Sequence, residues 1–326
     1  MGKGKSNSSA KTPNGTSTPH KTTDQPNIKA DLLLARAGAD KSCLDALPGI
    51  IETMTFRLPP RIPTFSLNCY ANFTKATMFF FLLSLMWYYN NYSLGAFVYL
   101  GLHSSYGLMW NLKTLAFPDK SHQNVMTVGS LPMLFTVLFG YYYLGYFMMS
   151  GQGIQNPTPE RVCIATTVFA LGSVIMMTTD AQKYFTLKYR KGLIDNGMLS
   201  RNRNANYLGE MMLYGSFAYL NGTEKSYVPW AILLSVWFGI FSITMLVKEL
   251  SLRKKPGYQS YKEKSWLLLF KPFKSDFLSI LLYVGLGYGA YHVWSQGGLT
   301  PILRKLHPYI KSTVDRGIGF VWNYWK

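Results

Sequence analysis

The chain has 326 residues, of which 48% are hydrophobic, and it carries a formal net charge of +18. Soluble globular proteins seldom combine so many apolar residues with so one-sided a charge. The basic residues lie between long uncharged runs, as in membrane proteins whose loops are rich in Lys and Arg. Because these cations are spread over several loops rather than one folded face, the charge does not indicate a nucleic-acid-binding protein.

The cysteines and histidines give no sign of a metal site. Cys43, Cys69 and Cys163 show neither a CxxC spacing nor an even framework, so they indicate neither a disulfide scaffold nor a zinc site. No HExxH motif occurs, and no histidine pairs with a carboxylate at metal-ligand spacing. We therefore expect no catalytic metal.

The N-terminal region is basic and precedes the first long apolar run. Residues 1–30 are rich in Lys, Ser, Thr, Asn and Pro, which predicts a disordered tail and no cleavable signal peptide. Gly2 and Ser6 fit the N-myristoylation pattern, but a solvated basic tail explains the same residues. Residues 31–64 mix short apolar stretches with prolines, which is typical of an amphipathic approach lying on the membrane.

Seven apolar runs follow, and they predict an all-α, polytopic membrane helix bundle of about six to seven spans. All except the fifth approach the roughly 20 residues needed to cross the hydrocarbon core. The runs have approximate bounds 71–90, 94–112, 125–149, 162–179, 207–220, 227–247 and 277–293. The predicted organisation is a tail and approach over 1–64, a catalytic bundle over 65–275, and a further span with an amphipathic segment over 276–326.

The loops alternate in charge, and this alternation predicts the orientation. The tail and the loops 113–124, 180–204 and 248–275 each hold several Lys or Arg residues, whereas the intervening loops hold only Lys225. The positive-inside rule therefore places the N-terminus and the basic loops in the cytosol. The basic C-terminal segment breaks the alternation. Either an odd number of spans leaves it outside, or it returns as an interfacial helix.

Three carboxylates lie at the predicted cytosolic ends of spans. Asp180 ends the fourth run, Glu210 lies within the fifth, and Glu249 ends the sixth. Carboxylates at membrane depth usually face a bundle interior or a wet cavity, and neighbouring cations suit a phosphate-bearing ligand. Loop cations that snorkel to the membrane surface give a similar charge pattern. The cations in question are Lys183, Lys188, Arg190, Lys191, Arg201 and Arg203.

The segment 192–210 resembles a known signature, G-L-x-x-x-G-x-[RH]-x-P-N-Y-x-G-E, through Gly192-Leu193, Gly197 and Asn206-Tyr207-Leu208-Gly209-Glu210. The signature marks the superfamily of steroid 5-alpha-reductases, sterol C14 reductases, isoprenylcysteine carboxyl methyltransferases and DUF1295 proteins. Asp180-Ala181-Gln182-Lys183 is similar to a cofactor-proximal motif of the reductases, and His103-Ser104-Ser105-Tyr106-Gly107 to a motif of the DUF1295 group. The resemblance covers residues 95–273.

The resemblance implies an enzyme of the endoplasmic reticulum membrane with a nucleotide pocket open to the cytosol. The chain departs from the signature at Asn204-Ala205, where the absent proline loosens the entry to the fifth helix. The first three spans hold no Asp or Glu, which argues against a steroid substrate. The predicted cofactor-binding residues are Asp180, Lys183, Lys188, Arg203, Asn206, Tyr207, Glu210 and Glu249.

A polar stripe lies along the second run. Tyr99, His103, Tyr106, Trp110 and Lys113 follow i, i+4, i+7, i+11, i+14 spacing and therefore share one helix face. In the functional interpretation Tyr106 and His103 are catalytic, as a proton donor and an orienting group facing the substrate. Hydrogen bonding between neighbouring helices explains such a stripe equally well.

Three functions are compatible with these residues. The first is an NADPH-dependent oxidoreductase acting on a CH-CH group, which reduces a conjugated C=C bond in a lipid or sterol-like substrate. The second is methyl transfer from S-adenosylmethionine to a lipid or prenylated substrate, and the third is a membrane scaffold with a relict pocket. The Asp-Ala-Gln-Lys motif and the abundant cations favour the reductase. Its expected partners are the lipid bilayer and an apolar small molecule, without nucleic acid or metal.

Overall fold

The computed structural model describes residues 46–223, 225 and 227–324, except the side chains of Ser121 and of residues 315–324. The predicted disordered tail, the myristoylation pattern and most of the predicted amphipathic approach lie outside the described residues. Within them the fold is all-helical apart from one small two-stranded sheet, as the apolar runs predict.

The described elements follow one another in a simple order. Strands β1 (Pro63–Ser66) and β2 (Val125–Thr127) pair antiparallel at one end of the molecule. The helices are α1 (Leu47–Phe56), α2 (Leu67–Tyr88), α3 (Leu94–Ala116), α4 (Leu131–Met149), α5 (Pro159–Tyr189), α6 (Ala205–Asn221), α7 (Tyr227–Leu252), α8 (Tyr258–Lys264), α9 (Asp276–Ser295) and α10 (Leu299–Tyr324). Helix α7 contains a π-helical turn at Trp237–Phe241.

Five of the described helices, namely α2, α4, α5, α7 and α9, are long and apolar enough to cross a membrane. The protein is therefore an integral membrane protein. The predicted runs 94–112 and 207–220 also form helices, α3 and α6. Neither is among the five, because α3 carries the polar stripe and α6 has only 17 residues. The count of six to seven spans stays a prediction.

Capping side chains determine where several spans begin. The hydroxyls of Ser66, Ser93 and Thr158 accept hydrogen bonds from the third amide of α2, α3 and α5, respectively. Each cap satisfies an amide that a helix start would otherwise leave unpaired. Helix α5 continues to Tyr189, well beyond the predicted end of the fourth run at 179, so Asp180 lies within this helix.

The basic loops meet at one end of the bundle, which we call the basic end. Lys113, near the end of α3, forms an ion pair with Asp180 of α5. Lys255 follows α7, and its Nζ donates to the carbonyl of Gly192 at 3.0 Å. The loops that the charge alternation predicts to share a side are therefore neighbours. Which face of the membrane they occupy stays a prediction.

Helix α10 begins at the end of the bundle opposite the basic end. The amide of Leu299 and the hydroxyl of Thr300 bind the carboxylate of Glu160 in the first turn of α5. Helix α9 is almost wholly exposed, with Ser279 as its one buried described residue. It therefore runs beside the bundle, from the basic end to the start of α10.

The most extensive helix contact joins α5 and α6. Two glycines face each other there. A Cβ added at Gly209 would lie 2.5 Å from the carbonyl oxygen of Gly172, and one added at Gly172 would lie 2.6 Å from that of Gly209. Small residues of this kind let two membrane helices approach backbone to backbone. Because Gly209 precedes Glu210, this contact also determines where the Glu210 carboxylate lies.

We predict that Gly209→Ala destabilises the protein by about 1–3 kcal/mol, because the added methyl group meets backbone that cannot rotate away. The measurement is the midpoint of thermal unfolding in detergent. The matched control is Gly101→Ala in α3, where a Cβ meets nothing within 4 Å. This control should hold or slightly raise the midpoint, because alanine favours helix. Equal midpoints for the two variants would contradict the packing.

Candidate functional site

The polar stripe of α3 faces the bundle interior, as its spacing predicts. Tyr99, His103 and Tyr106 are fully buried, and Lys113 is 7% exposed. The Nδ1 atom of His103 lies 3.1 Å from the hydroxyl of Tyr99, and the imidazole stacks on Phe217 at 4.5 Å. The stripe therefore reaches from the bundle interior to the basic end.

A chain of hydrogen bonds connects a lysine of α2 to the carboxylate of α6. The Nζ atom of Lys75 donates to the hydroxyl of Tyr214 at 2.8 Å, and Tyr214 donates to the hydroxyl of Tyr106 at 3.4 Å. Tyr106 in turn donates to Oε1 of Glu210 at 3.1 Å. We call these four residues the Lys75–Glu210 chain. It offers a path for a proton between an ammonium group and a carboxylate.

Lys75 is not among the site residues that the sequence predicts. A signal was present, since Lys75 is the only charged residue in the first apolar run, and charges inside spans usually serve a function. Its Nζ lies 4.1 Å from the ring centroid of Tyr106 and 3.8 Å from that of Tyr141. Ring faces at these distances stabilise a cation.

This chain lies along an apolar cleft of about 230 Å³ between α2, α3, α4, α6 and α7. Lys75, Tyr214 and Glu210 form its polar wall, and Tyr141 and Trp110 also contribute. The Tyr141 hydroxyl and the Trp110 Nε1 are buried without a partner among the described residues, so both can bind a polar atom of a ligand. Apolar lining residues include Leu134, Leu138, Leu144, Ile232, Leu233 and Phe241.

A second pocket, of about 400 Å³, lies at the basic end. The predicted residues Asp180, Lys183 and Lys188 line it together, so the structure brings these three into one place. Two ion pairs lie in its wall, Lys113–Asp180 and Lys183–Asp119, the second at 3.5 Å. Five lysines face two aspartates in this basic pocket: Lys113, Lys120, Lys183, Lys188 and Lys191 against Asp119 and Asp180.

The basic pocket and the apolar cleft meet on α3. Lys113 lines the pocket and Trp110 lines the cleft, and the Lys113 Nζ lies 4.6 Å from the Trp110 ring. His122 stacks on Trp110 at 6.0 Å and also lines the cleft. Burial lowers the pKa of His122, although Asp119 nearby opposes the effect. The surroundings of His122 therefore favour the neutral imidazole.

Arg203 and Glu249 form a buried ion pair away from the basic pocket. Their closest atoms, Nε and Oε1, are 3.0 Å apart, and each residue is 6% exposed. Arg203 also donates to the carbonyl of Ser265 at 2.5 Å, and the Tyr258 hydroxyl donates to Glu249. These bonds join α8 and the segment after it to α6 and α7. Arg203 and Glu249 therefore stabilise the fold at the basic end, and their predicted part in cofactor binding stays a prediction.

The structure places the other predicted site residues in different parts of the bundle. Glu210 belongs to the Lys75–Glu210 chain and lines the apolar cleft rather than the basic pocket. Asn206 and Tyr207 line neither, and the Tyr207 ring packs 5.1 Å from Phe241. His103 lies behind the cleft and lines neither cavity. Among the described residues, no cluster of His, Cys, Asp or Glu has the make-up of a metal site.

Comparison with known proteins bears on the same region. Residues 120–265 match the family described as "Protein of unknown function (DUF1295)", which is the family that the signature predicts. The match begins at Lys120 of the basic pocket and includes Glu210. Lys75 and Tyr106 precede it. No curated protein matches the chain. No solved structure matches it.

We predict that Glu249→Gln destabilises the protein by about 3–5 kcal/mol, because it leaves the Arg203 guanidinium buried without a counter-charge. Thermal unfolding in detergent is the measurement. Lys188→Ala, a pocket lysine without an ion pair among the described residues, should leave the midpoint unchanged. A Glu249→Gln protein of normal stability that fails to bind NADPH would contradict this structural role and support the predicted role of Glu249 in cofactor binding.

Proposed function

We propose that this protein, whose residues 120–265 match the DUF1295 family, is a membrane-embedded, NADPH-dependent reductase of a conjugated C=C bond in a lipid. The proposal rests on one observation. A basic pocket and an apolar cleft meet at Trp110 and Lys113, beside a hydrogen-bonded chain that can carry a proton. We further propose the endoplasmic reticulum membrane as its location, with the basic end and the N-terminus in the cytosol.

The basic pocket suits a dinucleotide phosphate. Lys120, Lys188 and Lys191 are exposed at the pocket, where they can meet phosphate groups. Phe117 and Tyr184 also line the pocket, and their rings suit the flat groups of a nucleotide. NADPH, when bound, supplies a hydride. Lys113 and Asp180, paired at the inner wall, would orient the end of the cofactor that points towards Trp110.

The apolar cleft suits the hydrocarbon part of the substrate. A conjugated double bond next to Lys75 and Tyr214 would lie where a proton is available. Tyr214 would donate that proton, and Glu210, once it has taken up a proton, would replace it through Tyr106. Tyr106 then has the middle position in proton delivery. The catalytic role of His103 stays a prediction.

The alternatives have less support. S-adenosylmethionine carries a cationic sulfonium and no phosphate, so a pocket with five lysines and two aspartates attracts it poorly. A scaffold without a ligand would not need a lysine and a glutamate beside an apolar cleft, because each charge at membrane depth is costly. The reductase accounts for both the basic pocket and the Lys75–Glu210 chain.

We predict that Lys188→Ala and Lys191→Ala each weaken NADPH binding by about one to two decades, because one lost charge-assisted contact costs roughly 1.5–3 kcal/mol. Titration of the purified protein with NADPH, NADH and S-adenosylmethionine measures this. The affinity for NADH, which lacks the 2′-phosphate, should fall less than the affinity for NADPH. The matched control is Lys274→Ala, an exposed lysine outside the pocket. Saturable binding of S-adenosylmethionine alone would replace the reductase with a methyltransferase.

We predict that Tyr106→Phe lowers turnover by about a hundredfold, within the usual contribution of a proton-transfer group, while NADPH affinity stays the same. The assay follows NADPH consumption with (E)-2-hexadecenal as the probe substrate. Tyr142→Phe is the control, because the Tyr142 hydroxyl bonds to Thr77 and the Thr74 carbonyl and lies outside the chain. Unchanged turnover in Tyr106→Phe would mean that the stripe serves helix packing and not proton delivery.

A further inference from the structure

Lys75 has surroundings that differ from those of two other interior cations, Lys113 and Arg203. Lys113 and Arg203 each pair with a carboxylate, whereas no ion pair of Lys75 occurs among the described residues. Its Nζ instead contacts a hydroxyl and two ring faces. The side chain is partly buried and lines the apolar cleft, so a ligand in the cleft would lie against it.

The Lys75–Glu210 chain gives this lysine a means of losing its proton. Transfer from Nζ through the hydroxyls of Tyr214 and Tyr106 to Glu210 converts an ammonium and a carboxylate into a neutral amine and a neutral acid. Low polarity favours the neutral pair over two separated charges. A lysine desolvated in this way is a nucleophile towards carbonyl groups.

A second feature of the cleft points to a polar atom in the ligand. Tyr141 is 8% exposed and lines the cleft, and its hydroxyl is buried without a partner among the described residues. Its ring centroid lies 3.8 Å from the Lys75 nitrogen. A carbonyl oxygen that accepts a hydrogen bond from Tyr141 would therefore lie close to the amine.

We propose that Lys75 forms an imine with a long-chain lipid aldehyde conjugated to a C=C bond, with Glu210 as the counter-ion. The small volume of the cleft, about 230 Å³, and its apolar lining suit an unbranched chain, and aldehydes form imines more readily than ketones. The proposal deepens the reductase function by naming its substrate class. It rests on that function only for the reduction of the C=C bond after the imine has formed.

The steps balance without a further reagent. The nitrogen of neutral Lys75 adds to the carbonyl carbon, and a proton moves from nitrogen to oxygen to give a carbinolamine. Loss of one water forms the C=N bond. The proton held by Glu210 then returns through Tyr106 and Tyr214 to the imine nitrogen. The net change is ammonium plus aldehyde to iminium plus water, and hydrolysis reverses it.

The surroundings also stabilise the product of these steps. An iminium at Lys75 keeps the positive charge against the rings of Tyr106 and Tyr141, with Glu210 ionised again at the end of the chain. An iminium withdraws electrons from a conjugated C=C bond more strongly than the free carbonyl does. The same lysine would therefore both bind the substrate and make its β-carbon more electrophilic.

Trapping of the imine tests the proposal on the full-length protein in nanodiscs. The protein is incubated with hexadecanal, a saturated aldehyde that cannot add through a double bond, and sodium cyanoborohydride reduces any imine to a stable amine. Peptide mass spectrometry then compares all lysines. We expect saturable modification of Lys75 that exceeds that of exposed Lys274 by about tenfold or more. Modification of Lys75 no greater than that of Lys274 overturns the proposal.

Two variants separate this proposal from the reductase function. Lys75→Arg keeps the charge and Lys75→Met keeps the shape, so at least one should fold, and both should lose trapping and the reduction of (E)-2-hexadecenal while they still bind NADPH. A variant that reduces the enal at the wild-type rate overturns the imine and leaves the reductase standing. Trapping at Lys75 in a protein that never binds NADPH supports the imine and overturns the reductase.

Discussion

The arrangement of the bundle depends on holding charges inside an apolar interior. Lys75 and Glu210 lie on helices that are far apart in sequence, and two tyrosine hydroxyls connect them. Separate ions at this depth would each cost several kcal/mol, so α2, α3 and α6 must stay aligned closely enough to keep every link. The need for this alignment explains why backbone contact between helices matters in this protein. A looser bundle would leave both charges without partners.

The contact between Gly172 and Gly209 provides such alignment. It brings α5 and α6 together at the level of Glu210, so the basic pocket on α5 and the polar wall of the cleft on α6 have a fixed relation. Helix α3 connects the two sites, because Lys113 faces the basic pocket and Trp110 faces the apolar cleft. Three helices therefore determine the distance between a site for phosphates and a site for hydrocarbon.

Local patterns predicted the parts of the fold and site that depend on local sequence. Hydropathy located the apolar runs, and helical spacing placed the stripe of α3 on one interior face. The family resemblance grouped Asp180, Lys183 and Lys188, and the structure places them on one helix that continues to Tyr189, beyond the predicted end of the run. The pairing of Arg203 with Glu249 could not be predicted in this way, because it joins helices through a contact between residues distant in sequence.

The environment of Lys75 likewise depends on contacts that no local pattern contains, although its charge is visible in the sequence. A lone lysine in an apolar run can snorkel to the membrane surface, and only the tertiary fold decides whether it turns inwards. Here Tyr214 and the ring of Tyr141 hold its nitrogen inside, and Glu210 is reached only through two hydroxyls. A direct ion pair would have kept the amine protonated and unreactive. The indirect link keeps the carboxylate as a proton acceptor and leaves the nitrogen open to the cleft.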